Sequence, residues 1–189
     1  MNERLEVMAT ISPGLVKKLR ERTGAGMMDC KKALQEADGK LEAAVKILHE
    51  QSKAIVAKKA GRATGQGVVH AYIHGGRIGV LVEVNCETDF VARNEKFKQF
   101  VHELGLQIAS MDPQYVSKEE VSKEAIQGDP KAFYTQACLL SQPFIKDQSK
   151  TIQDLLQDVI ATTGENIVIR RFVRYEVGEE IESSEAQET

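Results

Sequence analysis

The sequence predicts an α+β fold, with an N-terminal three-helix unit followed by a core of helices packed on a small antiparallel three-stranded sheet. Three observations carry this expectation. Apolar residues recur at helical spacing through the first fifty positions, the period then switches to two on either side of Gly75-Gly76, and helical spacing returns before a last alternating stretch, Asn166 to Val177.

Ser12 before Pro13 reads as an N-cap followed by proline at the first helical position, and Leu15, Val16 and Leu19 form the stripe of a helix that stops at Thr23-Gly24-Ala25-Gly26. Cys30, Ala33, Leu34 and Ala37 then fall at i, i+3, i+4 and i+7, and Leu41, Ala44, Val45 and Leu48 repeat the spacing beyond Asp38-Gly39. Three short helices make a mini-bundle of modest stability, suited to a recognition module. Ser52 to Gly67 is rich in alanine, lysine, arginine and glycine, first helix-permissive and then broken at Gly61, Gly65 and Gly67, and reads as a linker. Val69, Ala71 and Ile73 alternate with His70, Tyr72 and His74, and Ile78, Val80, Val82, Val84 and Cys86 alternate again, which predicts a hairpin turning at Gly75-Gly76. Phe97, Phe100, Val101, Leu104 and Ile108 line a helix that Asp112-Pro113 stops. Val116 to Gly128 and Lys131 to Leu140 read as two more helices, the second after a capping Asp129-Pro130. Thr151 caps a helix carrying Ile152, Leu155, Leu156, Val159 and Ile160, Gly164 ends it, and the third strand follows. The expected organisation is an N-terminal arm over 1–7, with Met8 as an alternative start, a helical domain over 8–55, a linker over 56–66, a core over 67–178 and a disordered acidic tail over 179–189.

At 189 residues, 42% hydrophobic and 28% charged, the chain can bury one medium core or two small ones. A formal net charge of -3 gives no general attraction to nucleic acid or anionic lipid, which favours a protein partner. Cys30, Cys86 and Cys138 are odd in number, far apart and without a Cys-x-x-Cys pair, so neither a disulfide framework nor a zinc site is suggested and a reducing cytoplasm suits them. The N-terminus has no apolar signal core, and no stretch approaches the ~20 apolar residues of a membrane span.

Catalytic and cofactor motifs fail one by one. His70 and His74 share a strand face but stand ~13 Å apart, too far to hold one metal ion, and read as exposed strand positions. His102-Glu103 begins like a zinc-protease motif, but Leu106 stands where its second histidine belongs. Gly24-Ala25-Gly26 and Gly65-Gln66-Gly67 each lack the third glycine of a dinucleotide fingerprint, and the sequence contains no phosphate-binding Gly-x-x-x-x-Gly-Lys loop. Each cysteine reads as a small buried residue. No cofactor is implied. Two segments are less easily explained by packing. Met27-Met28 either seals the mini-core, the reading favoured by pattern alone, or forms an adaptable contact surface. Glu87-Thr88-Asp89-Phe90-Val91-Ala92-Arg93-Asn94 is either a helix start, capped by Thr88 or Asp89 with Phe90 turned inward as a staple, or a rigid loop presenting a carboxylate and an aromatic anchor. From physics alone the helix start is the safer reading.

Leu19 to Leu34, reading LRERTGAGMMDCKKAL, and Glu83 to Asn94, reading EVNCETDFVARN, closely resemble the two signature segments of the elongation factor Ts family. The likeness extends to Gln142-Pro143-Phe144 and Gly164-Glu165-Asn166-Ile167, and so covers residues 8 to 182. The resemblance implies a ubiquitin-associated-like three-helix domain over 8–55 and a core or dimerisation domain after it. This chain has room for only one of the two core halves of the longer members. The implied activity is guanine-nucleotide exchange in translation elongation, without an active site of its own, on elongation factor Tu in its GDP-bound form, passing through the nucleotide-free complex. By resemblance Lys17, Arg20, Met27, Met28 and Lys31 grip the GTPase domain. Thr88, Asp89, Phe90 and Val91 intrude beside its magnesium and phosphate site. The resemblance also implies a homodimer, while charge and composition argue against nucleic acid or membrane as a partner. A ubiquitin-associated-like adaptor for another protein is the rival reading, and an enzyme using Cys86 and His102 a distant third.

Overall fold

The computed structural model describes residues 11–180, so the expected arm over 1–7, the alternative start at Met8 and the tail from 181 onward lie outside the described residues. Helix α1 spans Pro13–Thr23 and begins as expected: Ser12 Oγ accepts the Leu15 amide at 3.2 Å, Pro13 occupies the first turn, and Gly24 closes the helix at a φ of 70°. Helix α2 spans Met27–Glu36, and Asp38 and Gly39, both at positive φ, turn the chain into α3, Leu41–Lys59. Val16, Leu19, Cys30, Ala33, Leu34, Ala44 and Leu48 form the buried core of this bundle. The expected linker from Ser52 is helical as far as Lys59, because Ser52 to Lys59 holds helix-tolerant residues with no glycine or proline; the first glycine after it is Gly61.

Strand β1, Gln66–His74, and β2, Ile78–Cys86, form the expected hairpin. Gly75 and Gly76 both take positive φ in its turn, where the Arg77 amide donates to the His74 carbonyl at 3.0 Å. One-turn helix α4, Asp89–Ala92, and the long α5, Glu95–Met111, follow, and α5 buries Phe97, Phe100, Val101, Leu104 and Ile108 as the spacing predicts. Each such burial is worth roughly 1.5–3 kcal/mol. Asp112, at a φ of 44°, and Pro113 end α5.

The expected helix over Val116 to Gly128 does not form; the segment makes two 3₁₀ turns, Lys118–Glu120 and Lys123–Ala125. Its apolar residues make no continuous stripe, and the Tyr115 and Val116 carbonyls accept the Leu139 and Leu140 amides at 2.9 and 3.0 Å, which holds the start of the segment extended. Helix α6 spans Pro130–Ala137, capped by Asp129 as expected, and ends early because residues 139 and 140 serve that pairing. The short strands β3, Pro143–Phe144, and β4, Asp147–Thr151, form a second antiparallel sheet that the sequence reading did not anticipate. Helix α7, Ile152–Thr163, ends at Gly164, and β5, Ile167–Glu176, completes an antiparallel sheet of order β1-β2-β5. The helices and sheet make the expected α+β fold, and the chain divides into two compact units. One holds the described N-terminal segment through Gly67 with Asn85–Phe100 and Gln153–Val168; the other holds Val68–Val84, Val101–Ile152 and the chain from Ile169.

Within the second unit the face of β1 that packs is the polar one. His70 and Tyr72 lie beside α5, each ring centred 5.5 Å from that of His102, while Val69 and Ile73 stay 68% and 65% exposed. Gly105 explains the inversion: a Cβ there would stand 2.8 Å from the Tyr72 Cβ, so the helix approaches the strand where only glycine fits. His70 is therefore half-buried and not the exposed position expected, and its pKa is pushed down by burial first and by neighbouring His102 second. His74 is exposed, with Nδ1 3.1 Å from the Tyr72 hydroxyl.

Two buried glutamines hold the small β3–β4 sheet to α5. Gln107 Nε2 donates to Gln142 Oε1 and to the Pro143 carbonyl, both at 3.1 Å, and Gln107 Oε1 accepts the Ile145 amide at 3.0 Å. Gln142 Nε2 donates to the Gln136 carbonyl at 2.7 Å. Because both glutamine side chains are buried, removing one leaves the other's amide short of a partner. Gln142→Ala should destabilise the protein by about 1–3 kcal/mol in chemical unfolding, whereas substitution of the exposed Gln148 should leave the midpoint in place.

Candidate functional site

Between β2 and α5 the chain makes the one-turn helix α4, and its start is capped by Thr88, whose Oγ1 accepts the Val91 amide at 3.4 Å. The capping part of the helix-start reading therefore holds, but Phe90 is no staple. Its ring is 81% exposed, while Val91 and Ala92 supply the buried side of the turn. A residue at the second position of so short a helix points away from the side that Val91 and Ala92 bury, so the turn is anchored by small aliphatic groups and displays the large one. Asp89 beside it is half exposed and pairs with Arg93 at 3.0 Å, one turn on.

The turn is braced from the loop after α7. Glu165 Oε2 accepts the Glu87 and Thr88 amides at 3.1 and 3.0 Å, and Thr88 Oγ1 donates to Glu165 Oε1 at 2.6 Å. A reciprocal bond runs back, the Asn166 amide donating to Glu87 Oε1 at 2.6 Å. Arg62 lies 3.6 Å from the other Glu87 oxygen, and its carbonyl accepts from Asn166 Nδ2 at 2.8 Å. Sequence reasoning placed none of Arg62, Glu87, Arg93 or Glu165 in a role. Glu165 stands inside the Gly164-Glu165-Asn166-Ile167 likeness, between a glycine read as a helix stop and an asparagine read as a strand start, and has no reading of its own.

The second group of candidates lies on the bundle. Lys17 and Arg20 sit on α1 and Met27, Met28 and Lys31 on α2, and all five are exposed. Met27 and Met28, at 58% and 63%, do not seal the mini-core as pattern alone favoured; Leu19, Cys30 and Leu34 fill it without them. Lys17 lies 3.8 Å from Glu21 across one helical turn. Arg20 lines a cleft of about 300 Å³ with Thr23, Gly26 and Asp29.

Among the described residues no group of three or more His, Cys, Asp or Glu side chains is gathered to hold a metal, and no helix is long and apolar enough to cross a membrane. All three cysteines are buried and free. Burial pushes each thiol pKa up, away from the thiolate that a nucleophile requires. Cys86 Sγ is occupied in donating to the Thr88 carbonyl at 3.1 Å, one more tie on the turn.

The exposure of Phe90 has a stability consequence. Phe90→Ala should change the unfolding free energy by about 0.5 kcal/mol or less, as for other surface positions. Phe97→Ala, at a fully buried site, should cost about 3–5 kcal/mol. Thermal unfolding of the two variants beside the parent chain measures the contrast.

The elongation factor Ts family model matches residues 15–130 and 123–179, which includes both groups of candidates. The elongation factor Ts of Moorella thermoacetica is 52% identical over 196 aligned positions, covering 90% of this chain and 97% of the relative. That of Thermoanaerobacter pseudethanolicus is 52% identical over 200 positions, with 92% and 98% covered, and that of Finegoldia magna is 48% identical over 208, with 93% of each. Identity at this level over nearly the whole of both chains, spanning the braced turn and the bundle alike, means that the chain belongs to the elongation factor Ts family.

Proposed function

We propose that this member of the family is the guanine-nucleotide exchange factor of elongation factor Tu, binding its GDP form and hastening GDP release by disturbing the magnesium and phosphate site. The observation that carries the reading is the 81% exposed Phe90 beside Asp89 on a braced one-turn helix. An aromatic ring left in water on a stiff mount is costly for a free protein and useful for a bound one.

In this mechanism residues 8–55, as a ubiquitin-associated-like domain, provide docking. Exposed Met27 and Met28 adapt to an apolar groove while Lys17, Arg20 and Lys31 supply charge complementarity. The turn of Thr88, Asp89, Phe90 and Val91 then acts on the nucleotide site. Phe90 is the wedge, and Asp89 places a carboxylate near the cation and phosphates, where charge acts on charge. Thr88 and the buried Val91 work from behind, as cap and anchor. Weakening the magnesium environment removes part of what offsets the diphosphate charge, and GDP leaves faster. Linkage requires that nucleotide weaken factor binding by the same ratio, so GTP binding releases the factor. No covalent step is asked of the chain, which acts by binding in the cytoplasm and needs no cofactor, nucleic acid or membrane.

A homodimer through the core is part of the same proposal. Val69, Ile73, Leu81, Tyr175 and Val177 are between 47% and 68% exposed on the β1-β2-β5 sheet and its end. Ile73 Cδ1 stands 3.5 Å from where a Gly79 Cβ would lie, and Arg171 Nε donates at 2.7 Å to Oε2 of Glu83, which shares the Gly79 face of β2, so one sheet face carries both apolar groups and an ion pair. A second copy laid on that face would cover it isologously. Sedimentation equilibrium should give about twice the 20.9 kDa chain mass, and 20.9 kDa at every concentration would refute the dimer.

The exchange reading is tested by release of a fluorescent GDP analogue from elongation factor Tu, with and without the chain. The parent should accelerate release, and Phe90→Ala and Asp89→Ala should each lower the maximal rate about tenfold or more, the scale of losing one well-placed contact. Met27→Ala with Met28→Ala should raise the half-saturating concentration and leave the maximal rate nearly unchanged. Parental behaviour of all these variants would favour the adaptor reading.

A further inference from the structure

We infer that Glu165 is a positioning residue for exchange: its carboxylate, reaching over from the loop after α7, sets the direction in which the Thr88–Val91 turn presents Phe90. The inference rests on the exchange reading above and deepens it by a residue outside the turn.

Four residues of helix have little stability of their own, since a single turn fixes several dihedrals for one or two hydrogen bonds. The direction of α4 must therefore be imposed from outside. Glu165 is placed to impose it. One of its oxygens takes two successive backbone amides, those of Glu87 and Thr88, and the other takes the Thr88 hydroxyl proton at 2.6 Å. A carboxylate accepting three donors forms charge-assisted bonds, stronger and more directional than neutral ones.

The hydroxyl of Thr88 links this clasp to the helix. It has one proton, which goes to Glu165, and that leaves a lone pair aimed at the Val91 amide, the capping bond of α4. Clasp and cap thus share one oxygen. The Asn166 amide bonded to Glu87 Oε1, with Asn166 Nδ2 on the Arg62 carbonyl, keeps the loop bearing Glu165 in register with the residues it holds. Without Glu165, two amides at the entry to the turn lose their acceptor and the hydroxyl is free to rotate. The turn then samples other directions, and the fraction presenting Phe90 correctly falls. Docking through Met27, Met28 and the basic residues of α1 and α2 is untouched, so the loss falls on the maximal rate and not on the half-saturating concentration.

The test follows fluorescent GDP release against concentration of the full chain for the parent, Glu165→Ala, Glu165→Gln and Phe90→Ala, with circular dichroism and melting on each. Glu165→Ala should lower the maximal rate about tenfold at an unchanged half-saturating concentration. Glu165→Gln, which keeps one carbonyl acceptor for the two amides, should fall between it and the parent. Amide hydrogen exchange on the free chain should show the Glu87 and Thr88 protons exchanging faster in Glu165→Ala, with bundle-core amides such as that of Leu34 unchanged. A parental maximal rate in Glu165→Ala beside an impaired Phe90→Ala overturns the inference alone, as does a loss confined to half-saturation or unchanged protection at Glu87 and Thr88. Normal release by Phe90→Ala removes the turn from the mechanism and this inference with it. Should Glu165→Ala fail to fold, Glu165→Gln decides: a reduced maximal rate supports positioning and a parental one refutes it.

Discussion

A carboxylate bonded to two backbone amides and a hydroxyl, Glu165 on Glu87 and Thr88, is the constraint on which the candidate site depends. The chain must leave the last residue of β2 and begin α5 within eight residues, and do so with a phenylalanine facing water. Apolar burial alone would turn that ring inward, since hiding it is worth roughly 1.5–3 kcal/mol. What keeps it out is that the inward places are already taken by Val91 and Ala92, while Thr88 and Glu165 fix the backbone that assigns those places. Polar bonds at one end and two small aliphatic side chains at the other leave the turn no inexpensive way to rotate.

The bundle solves the opposite problem. Its core is small and built largely from leucine, valine and alanine, with Cys30 among them, and it closes without recruiting Met27 or Met28. Those two thioethers remain at the start of α2 with three rotatable bonds each. If the bundle docks as proposed, they can follow the contour of the partner, whereas Phe90 on its clasped turn cannot. One region is adaptable and the other rigid because the first hangs from a helix terminus by flexible side chains and the second is tied through its backbone.

Local rules were legible where one residue's chemistry decides a local geometry. Ser12-Pro13 and Asp129-Pro130 started helices, Gly75-Gly76 turned the hairpin, and the stripe from Phe97 to Ile108 was buried as spaced. Errors arose where distant residues decide. The inward face of β1 depends on Gly105 of α5, which lets His70 and Tyr72 pack and leaves Val69 and Ile73 outside. Val116 to Gly128 failed as a helix because Tyr115 and Val116 pair with residues more than twenty positions on. The β3 and β4 strands carry almost no apolar alternation, and their anchor is a glutamine pair, a buried polar device that periodicity does not register. At the site, Asp89 and Phe90 were visible as an odd cluster between a strand and a helix; the cap of the helix-start reading holds and the inward turn of Phe90 does not. Glu165 was not visible, since nothing in local spacing links a residue after a helix-ending glycine to an amide 77 positions earlier.

Rigidity at the turn follows from thermodynamics if the chain exchanges nucleotide as proposed. Linkage makes the displacement of GDP and the displacement of the factor two sides of one coupling free energy, so the turn and the magnesium site push on each other equally. Whichever side is softer yields. A pliant Phe90 would fold aside against a well-coordinated cation, and the contacts made by α1 and α2 would give affinity without release. A turn that resists deflection passes the docking energy on to the nucleotide site. The bonds from Glu165, the anchoring of Val91 and Ala92 and the stiff flanking elements β2 and α5 are what allow a small exposed ring to transmit that force.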